Sequence, residues 1–325
     1  MLLPLLIGLG LLSAVLALLQ LIGPPEGPLY TYRLTDHGAA VGLFANRNHQ
    51  AILLTAIFPL LAVFAALGSR SGGRERRRVF AIGVGAFMLP LLLVTGARIG
   101  LVTAAVGLAS VLILYRPAGR SQGAAPSSGR RRERVSGPRA ARSHRGLIAA
   151  GLTVATCVGI SLLTILLGRA EAFQRLMQVD ATNEYRLRAW KVVGQLIADY
   201  LPIGSGFGSF VEVYQVAEPR SLLDQTYFNH AHNDWLEVLL TGGLPALALL
   251  VVAVGLVVVR MVQLWRIRGG QVQPDELLAR LGLVLIVLFG IASFADYPLR
   301  TPVLSVFFTM AALWAGLPLR RRFPS

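Results

Sequence analysis

Long apolar stretches separated by shorter polar segments dominate the pattern of this chain. Eight of them are long enough to be candidate membrane spans, at residues 2–23, 49–68, 79–96, 98–115, 146–167, 236–259, 279–295 and 302–318. A helix needs about 20 predominantly apolar residues to cross the roughly 30 Å hydrocarbon core of a bilayer. The pattern therefore predicts an all-α, polytopic integral membrane protein, with one membrane domain over residues 1–325.

One long segment, residues 169–235, interrupts this pattern with charges of both signs. Apolar residues recur at helical spacing from Asn183 to Tyr200, which predicts a helix capped by Asn183 and ended before Pro202. The glycines of Gly204-Ser-Gly-Phe-Gly208 follow. No strand–helix unit surrounds them, so we expect a sharp backbone turn rather than a dinucleotide site.

Composition agrees with a membrane protein, since only 14% of the residues are charged and the net charge is +15. The basic excess lies mainly in residues 70–78, 116–145 and 320–322. With eight spans and a cytoplasmic N-terminus, all of these segments face the cytoplasm, as the positive-inside rule requires. The charge therefore indicates membrane topology rather than nucleic-acid binding, with both termini cytoplasmic and residues 169–235 forming an extracytoplasmic loop.

The basic segment 116–145 is rich in Arg, Ser, Gly and Pro. This composition predicts a disordered cytoplasmic loop that contacts anionic membrane lipids, and we assign no chemistry to it.

Two arginines of the predicted helix 183–200 differ in their surroundings. At about 100° per residue, Arg186 shares the apolar face with Trp190 and Val193, whereas Arg188 lies on the polar face near Glu184. An arginine on a packed face needs an anionic partner, although snorkelling of the side chain is the alternative explanation.

Other polar residues gather at the predicted outer ends of the spans: Arg98, Asn48, His49, His232, Asp296 and Arg300. Arginines at a lipid interface suggest a phosphate or diphosphate ligand, and a nearby histidine suggests proton transfer. A structural role at the headgroup level is the alternative for Arg98 and His232, and Asp296 and Arg300 can simply pair with each other. The sequence contains no convincing set of metal ligands, so we expect no metal and no cofactor.

Together these motifs resemble the O-antigen ligase/polymerase family of bacterial membrane glycosyltransferases. The matching stretches are Gly42–His49, Thr95–Arg98, Arg186-x3-Trp190, Gly204–Phe210, His232–Glu237 running into Gly243, and Asp296–Arg300. Arg186 to Trp190 and His232 to Gly243 have the spacing of the family's R-x3-L-type and H-x10-G patterns. Family members usually have ten or more spans, so the resemblance implies a chain that lacks several spans at its N-terminal side.

The resemblance implies transfer of a glycan from undecaprenyl diphosphate to an acceptor hydroxyl at the outer face of the bacterial inner membrane, with inversion and without a metal. It implies catalytic roles for His232, as general base or orienting group, and for Arg186 and Arg98 at the diphosphate. The remaining candidates are assigned to substrate binding: Arg188, Asn48, His49, Arg300 and Asp296. The expected partners are the lipid-linked donor, a lipid or saccharide acceptor and membrane lipids.

Several functions remain open at this stage. The acceptor can be lipid A–core, a growing polysaccharide or a protein hydroxyl. A transporter or flippase that binds the lipid-linked glycan without chemistry would use the same arginines, and an inactive scaffold subunit is a third possibility. A transporter more often shows polar residues at mid-span, broken helices or internal repeats. No repeat is present and the polar residues lie near the span ends, which favours the enzyme.

Overall fold

The computed structural model describes residues 2–32, 36–67, 73–115, 181–223, 228–267 and 272–318, together with residues 155 and 159. Regular structure in this part of the chain is helical, with two short 3-10 turns and no strand, which confirms the all-α prediction there. The helices are α1 (Leu2–Ile22), α2 (Arg47–Ala66), α3 (Gly73–Val94), α4 (Arg98–Leu114), α5 (Ala181–Tyr200), α6 (Phe210–Ala217), α7 (Asp234–Arg266), α8 (Pro274–Ala292) and α9 (Pro302–Ala315). The 3-10 turns are Arg220–Leu222 and Pro298–Arg300.

Seven of the predicted spans coincide with helices α1 to α4 and α7 to α9, whereas the span at 146–167 lies outside the described residues apart from 155 and 159. Four described helices, α1, α2, α3 and α7, are long and apolar enough to cross a membrane. The helix that contains the predicted span 79–96 is longer than that span, because α3 begins at Gly73 and continues through Arg74–Arg78. Arginine side chains reach water from a continuing helix, so a basic segment need not end it.

Helix α2 is the centre of the bundle, packed by α1, α3, α4 and α8. Small residues let α4 approach it closely: a Cβ added to Gly100 would lie 2.6 Å from Ala51 Cβ, and one added to Gly107 would lie 2.8 Å from Thr55 Cγ2. These contacts place the first turns of α2 and α4 at the same end of the bundle.

Buried polar contacts hold the segment that leads into α2. Gln20 Oε1 accepts the Gly42 N–H at 2.8 Å, and Gln20 Nε2 donates to the carbonyls of Leu29 and Gly42, at 3.0 Å each. The Ser13 hydroxyl donates to Gln50 Oε1 at 2.6 Å. Because all these groups are satisfied inside the bundle, the polar residues at the start of α2 have a fixed position.

Helix α7 is broken at Gly243, which has φ +56° and ψ −152°. The glycine turn 204–208 packs into this break: a Cβ on Gly243 would lie 2.4 Å from Pro202 O, and a Cβ on Gly204 would lie 2.6 Å from Gly243 N. The Leu244 N–H, freed by the break, donates to Pro202 O at 2.8 Å. The glycine turn therefore has the structural role expected of it, and its contact is with protein backbone.

The first turn of α7 is fastened to the end of α8. The Asp234 N–H donates to Ser293 O at 2.9 Å, and the Ser293 hydroxyl donates to Asp234 Oδ2 at 3.0 Å. The Trp235 indole N–H donates to Gly290 O at 3.1 Å. These bonds bring residues 228–234 next to the connection between α8 and α9.

Helix α5 ends at Tyr200, as predicted, but it begins at Ala181, so Asn183 lies inside the helix and is not its cap. Its buried face is centred on Ala189 and Val193, which pack with α6 and Phe228. Leu187, which belongs to the apolar spacing of this helix, is 56% exposed. The buried stripe of α5 is therefore narrower than the apolar pattern suggested.

Candidate active site

His232 immediately precedes α7 and lies between two aromatic rings. It stacks on Phe228, with 4.8 Å between ring centroids, and meets Tyr297 edge-on at 4.9 Å. Its φ of +50° lies in the left-handed region, which residues other than glycine seldom adopt. Such strain persists only where the surroundings fix it, and it is common at functional sites.

The hydrogen bond of His232 determines which ring nitrogen is available. Its Nδ1 lies 2.9 Å from His230 O, and a carbonyl oxygen only accepts, so Nδ1 carries the proton and Nε2 keeps its lone pair. Burial and the nearby charge of Arg186 lower the pKa of His232 to about 4, with Asp296 acting in the opposite direction. His232 is therefore a neutral imidazole at pH 7, with Nε2 as a proton acceptor.

Arg186 contributes the positive charge of the site from α5. Its Nε is buried and has no hydrogen-bond partner among the residues that the structure describes. Leaving a buried donor unpaired costs about 1–3 kcal/mol, and more for a charged group. Arg188, two residues further on, is exposed, so the difference expected between the two arginines is present in the structure.

Asp296, fully buried, is the anion beneath His232. Its carboxylate accepts from Asn48 Nδ2 at 2.7 Å and from Asn46 Nδ2 at 3.4 Å, and its Oδ1 lies 3.3 Å from His49 Nε2. Burial alone would raise the pKa of Asp296, but His49 and Arg186 outweigh it and hold that pKa well below its ordinary value. The site therefore keeps an ionised carboxylate.

Tyr297 joins the histidines of the site and was missed by the sequence analysis. Its ring packs against those of His49, His230 and His232, with centroid distances of 4.9, 4.5 and 4.9 Å. Its hydroxyl forms a hydrogen bond with the Asn229 side chain, and burial raises the pKa of Tyr297 to about 12, so it stays protonated. The available signal was its place in the motif that runs from residue 296 to 300.

Glu237, 2% exposed, was also missed, and it holds the backbone around His232. Its carboxylate is 3.0 Å from His230 Nδ1 and 3.1 Å from Arg300 Nη2, and it accepts the Ala231 N–H at 2.9 Å. The available signal was an acidic residue at the second position of the predicted span 236–259, where charge is costly.

The possible ion pair between Asp296 and Arg300 was wrong. Arg300 pairs with Asp234, at 3.2 Å, and with Glu237 instead. The 3-10 turn at 298–300 separates the two side chains, so that Asp296 faces the start of α2 and Arg300 faces the start of α7.

Arg98 is the exposed first residue of α4, at the end of the bundle where α2 also begins. The structure thus brings together five of the predicted residues: Arg186, His232, His49, Asn48 and Asp296. Glu237 connects Arg300 to this group. Arg98 and Arg188 are exposed. No three His, Cys, Asp or Glu side chains among the described residues form a group that could hold a metal ion. The arrangement combines a proton acceptor with a guanidinium whose buried Nε has no hydrogen-bond partner among the described residues.

Comparison with known proteins identifies a family. Residues 83–251, just over half of the chain, match the family described as O-antigen ligase. The match contains Arg98, Arg186, Arg188 and His232, and leaves the residues near 48 and 296 outside it. A comparison with curated proteins finds no match. The chain therefore belongs to the O-antigen ligase/polymerase family of membrane glycosyltransferases.

Proposed function

We propose that the cluster around His232 transfers a glycan from undecaprenyl diphosphate to an acceptor hydroxyl, at the outer face of the bacterial inner membrane. The reaction inverts the anomeric carbon and needs no metal. The observation that carries the proposal is the buried, unpaired Nε of Arg186, whose charge acts directly on a neutral His232.

Arg186 stabilises the leaving group. As the bond from the anomeric carbon to the diphosphate oxygen breaks, negative charge grows on the diphosphate, and a guanidinium matches phosphate oxygens bidentately. The Nε of Arg186 is already desolvated, so this donor gains a partner when the diphosphate arrives. Removing one such donor typically costs about 10²–10³ in rate.

His232 takes the proton of the acceptor hydroxyl. The hydroxyl oxygen attacks the anomeric carbon from the side opposite the diphosphate, and its proton passes to Nε2, since Nδ1–H is held by His230 O. The bound diphosphate offsets the charge of Arg186, which raises the pKa of His232 and makes it a stronger base in the donor complex. Binding of the donor thus prepares the base.

The other candidates have supporting roles. Asn48, half-buried, and His49, buried, contact the buried carboxylate of Asp296, whose charge balances that of Arg186. Arg98 and Arg188 are exposed, and both are assigned to contacts with the donor. Arg300, expected to bind substrate, has two ion pairs to α7 and acts by positioning residues 230–232.

Reconstitution tests the proposal. Purified protein in liposomes, supplied with undecaprenyl-diphosphate glycan and a chelator, is offered lipid A–core, a second lipid-linked glycan or a Ser/Thr peptide, and transfer is measured. Arg186→Ala and His232→Ala should lose transfer, whereas Lys191→Ala, an exposed change on α5, should not. Wild-type transfer by Arg186→Ala or His232→Ala at equal abundance removes that residue from the mechanism.

The same liposomes distinguish the enzyme from a transporter. The break in α7 is a feature that transporters share. Here the freed Leu244 N–H bonds to Pro202 O, so the break is closed by the protein's own backbone. Movement of the glycan across the bilayer without transfer to any acceptor would favour the transporter.

A further inference from the structure

The tip between α5 and α6, residues 201–207, presents apolar side chains to its surroundings. Ile203 is 76% exposed and Phe207 is 78% exposed. Both belong to the turn that fills the break in α7, and a Cβ added to Gly242 would lie 2.8 Å from the Phe207 ring. Large apolar residues exposed together are uncommon on water-facing loops and mark an interaction surface.

The break in α7 determines how far along the axis of α7 this tip lies. The continuous apolar part of α7 begins at Val238 and the break is at Gly243, five residues later. At 1.5 Å per residue, the tip lies about 7–8 Å along the axis below the start of the apolar part. The outward face of α7 continues beyond it with Leu249, 71% exposed, and Val251, 64% exposed.

The N–H groups of Gly204, Ser205 and Gly206 in the tip are paired within the protein. The Gly204 N–H donates to Tyr200 O at 2.8 Å, and the N–H groups of Ser205 and Gly206 donate to carbonyls of α7 on the near side of the break, at 2.9 Å each. The Ser209 hydroxyl donates to Gly206 O at 2.7 Å. Internal pairing of this kind replaces the hydrogen bonds to water that backbone groups lose at membrane depth.

We propose that residues 201–207 form a re-entrant tip embedded among the acyl chains of the leaflet on the His232 side. Three observations agree: the exposed apolar tip, its level beside the apolar face of α7, and the internal pairing of its backbone. Tyr200, 41% exposed at the end of α5, then lies where interfacial aromatic residues are common. The tip anchors α5, and with it Arg186, at a fixed height above the bilayer.

Site-directed fluorescence in lipid nanodiscs tests this placement. Cys157→Ser removes the single native cysteine, and an environment-sensitive maleimide dye is attached at Ile203→Cys or Phe207→Cys. Leu249→Cys on α7 is the lipid-facing reference, and Gln195→Cys, exposed on α5, is the aqueous reference. Fluorescence quenching is measured with two quenchers, bromine on the lipid acyl chains and iodide in the buffer.

The proposal expects both tip positions to lose fluorescence in brominated lipid to the same extent as position 249, with little loss to iodide. Iodide quenching at 203 and 207 equal to that at 195, without loss in brominated lipid, would overturn it. The readout does not depend on glycan transfer, so the result is independent of the proposed reaction. The two tip positions test it separately if one variant folds poorly.

Discussion

At the scale of single residues, the chemistry depends on charge balance around one imidazole. His232 is kept neutral by burial and by Arg186, while Asp296 acts in the opposite direction. Arg186 and Asp296 also act on each other, since Arg186 helps to hold the pKa of Asp296 low. A change in either charge should therefore appear as a shift in the pH dependence of His232.

Replacing Arg186 by Gln should raise the pKa of His232 from about 4 toward its ordinary value of about 6.5. The positive charge of Arg186 disfavours the imidazolium, so removing it favours protonation. Activity that needs neutral His232 falls as the pH drops through this pKa, and the acid limb of kcat/KM should move to higher pH. The position of the limb is measured independently of the expected loss in rate.

Arg188→Gln is the matched control, because Arg188 is exposed on the same helix. Its acid limb should stay where it is in the wild type. If Arg186→Gln still transfers glycan measurably and the acid limb of its kcat/KM profile has not moved, the charge of Arg186 does not lower the pKa of His232.

Tyr297 offers a second test at this scale. Tyr297→Phe keeps the ring against three histidines and loses the hydroxyl hydrogen bond to Asn229, which costs about 0.5–1.5 kcal/mol of stability. Tyr297→Ala removes the ring as well, and loss of a buried aromatic costs about 3–5 kcal/mol. Thermal unfolding in detergent should therefore rank wild type above Phe and Phe above Ala, with transfer following the same order. Equal losses in the two variants would mean that the hydroxyl, and not the ring, supports the histidines.

At the scale of elements, the break in α7 explains why a glycine lies eleven residues after His232. The spacing was visible in the sequence, but its reason was not. Gly243 is where the helix must open so that the turn from residues 202 to 206 can bond to its freed backbone groups. The distance from His232 to the break fixes the site relative to the membrane-embedded part of α7.

Gly243→Ala should be strongly destabilising. A non-glycine residue at φ +56° costs about 1–3 kcal/mol, and the new Cβ would lie 2.4 Å from Pro202 O, so the turn must also move. Gly255→Ala on the same helix is the control, because nothing lies within 4 Å of its added Cβ. That change should be neutral or stabilise the helix by up to about 1 kcal/mol. Thermal unfolding of the two purified variants measures the difference. Similar melting temperatures would show that the backbone at Gly243 is not strained by a side chain.

At the scale of the whole molecule, the sequence predicted the spans better than the contacts between them. Apolar runs are local, so the seven described spans could be found from residues 2–23 onward without knowing their neighbours. The partners of Asp296 could not be found in this way, because Asn48 and His49 are about 250 positions earlier in the chain. Tyr297 and Glu237 were missed for the same reason, since each acts through side chains that only packing brings near.

The contact between Asp296 and the start of α2 should hold the two ends of the chain together. Asp296→Ala leaves the buried ring of His49 and the half-buried amide of Asn48 without the carboxylate that they contact, and leaving a buried polar group unpaired costs about 1–3 kcal/mol. The folded pKa of Asp296 is below its unfolded value, so this stabilisation is fully present above about pH 4 and is lost as the pH falls through the folded pKa.

Unfolding midpoints at pH 7 measure the cost of Asp296→Ala, with Glu75→Ala, an exposed partner of Arg78 on α3, as the control. A double-mutant cycle with Asn48→Ala should give a coupling of about 0.5–3 kcal/mol, and strict additivity would show that Asp296 and Asn48 do not stabilise each other.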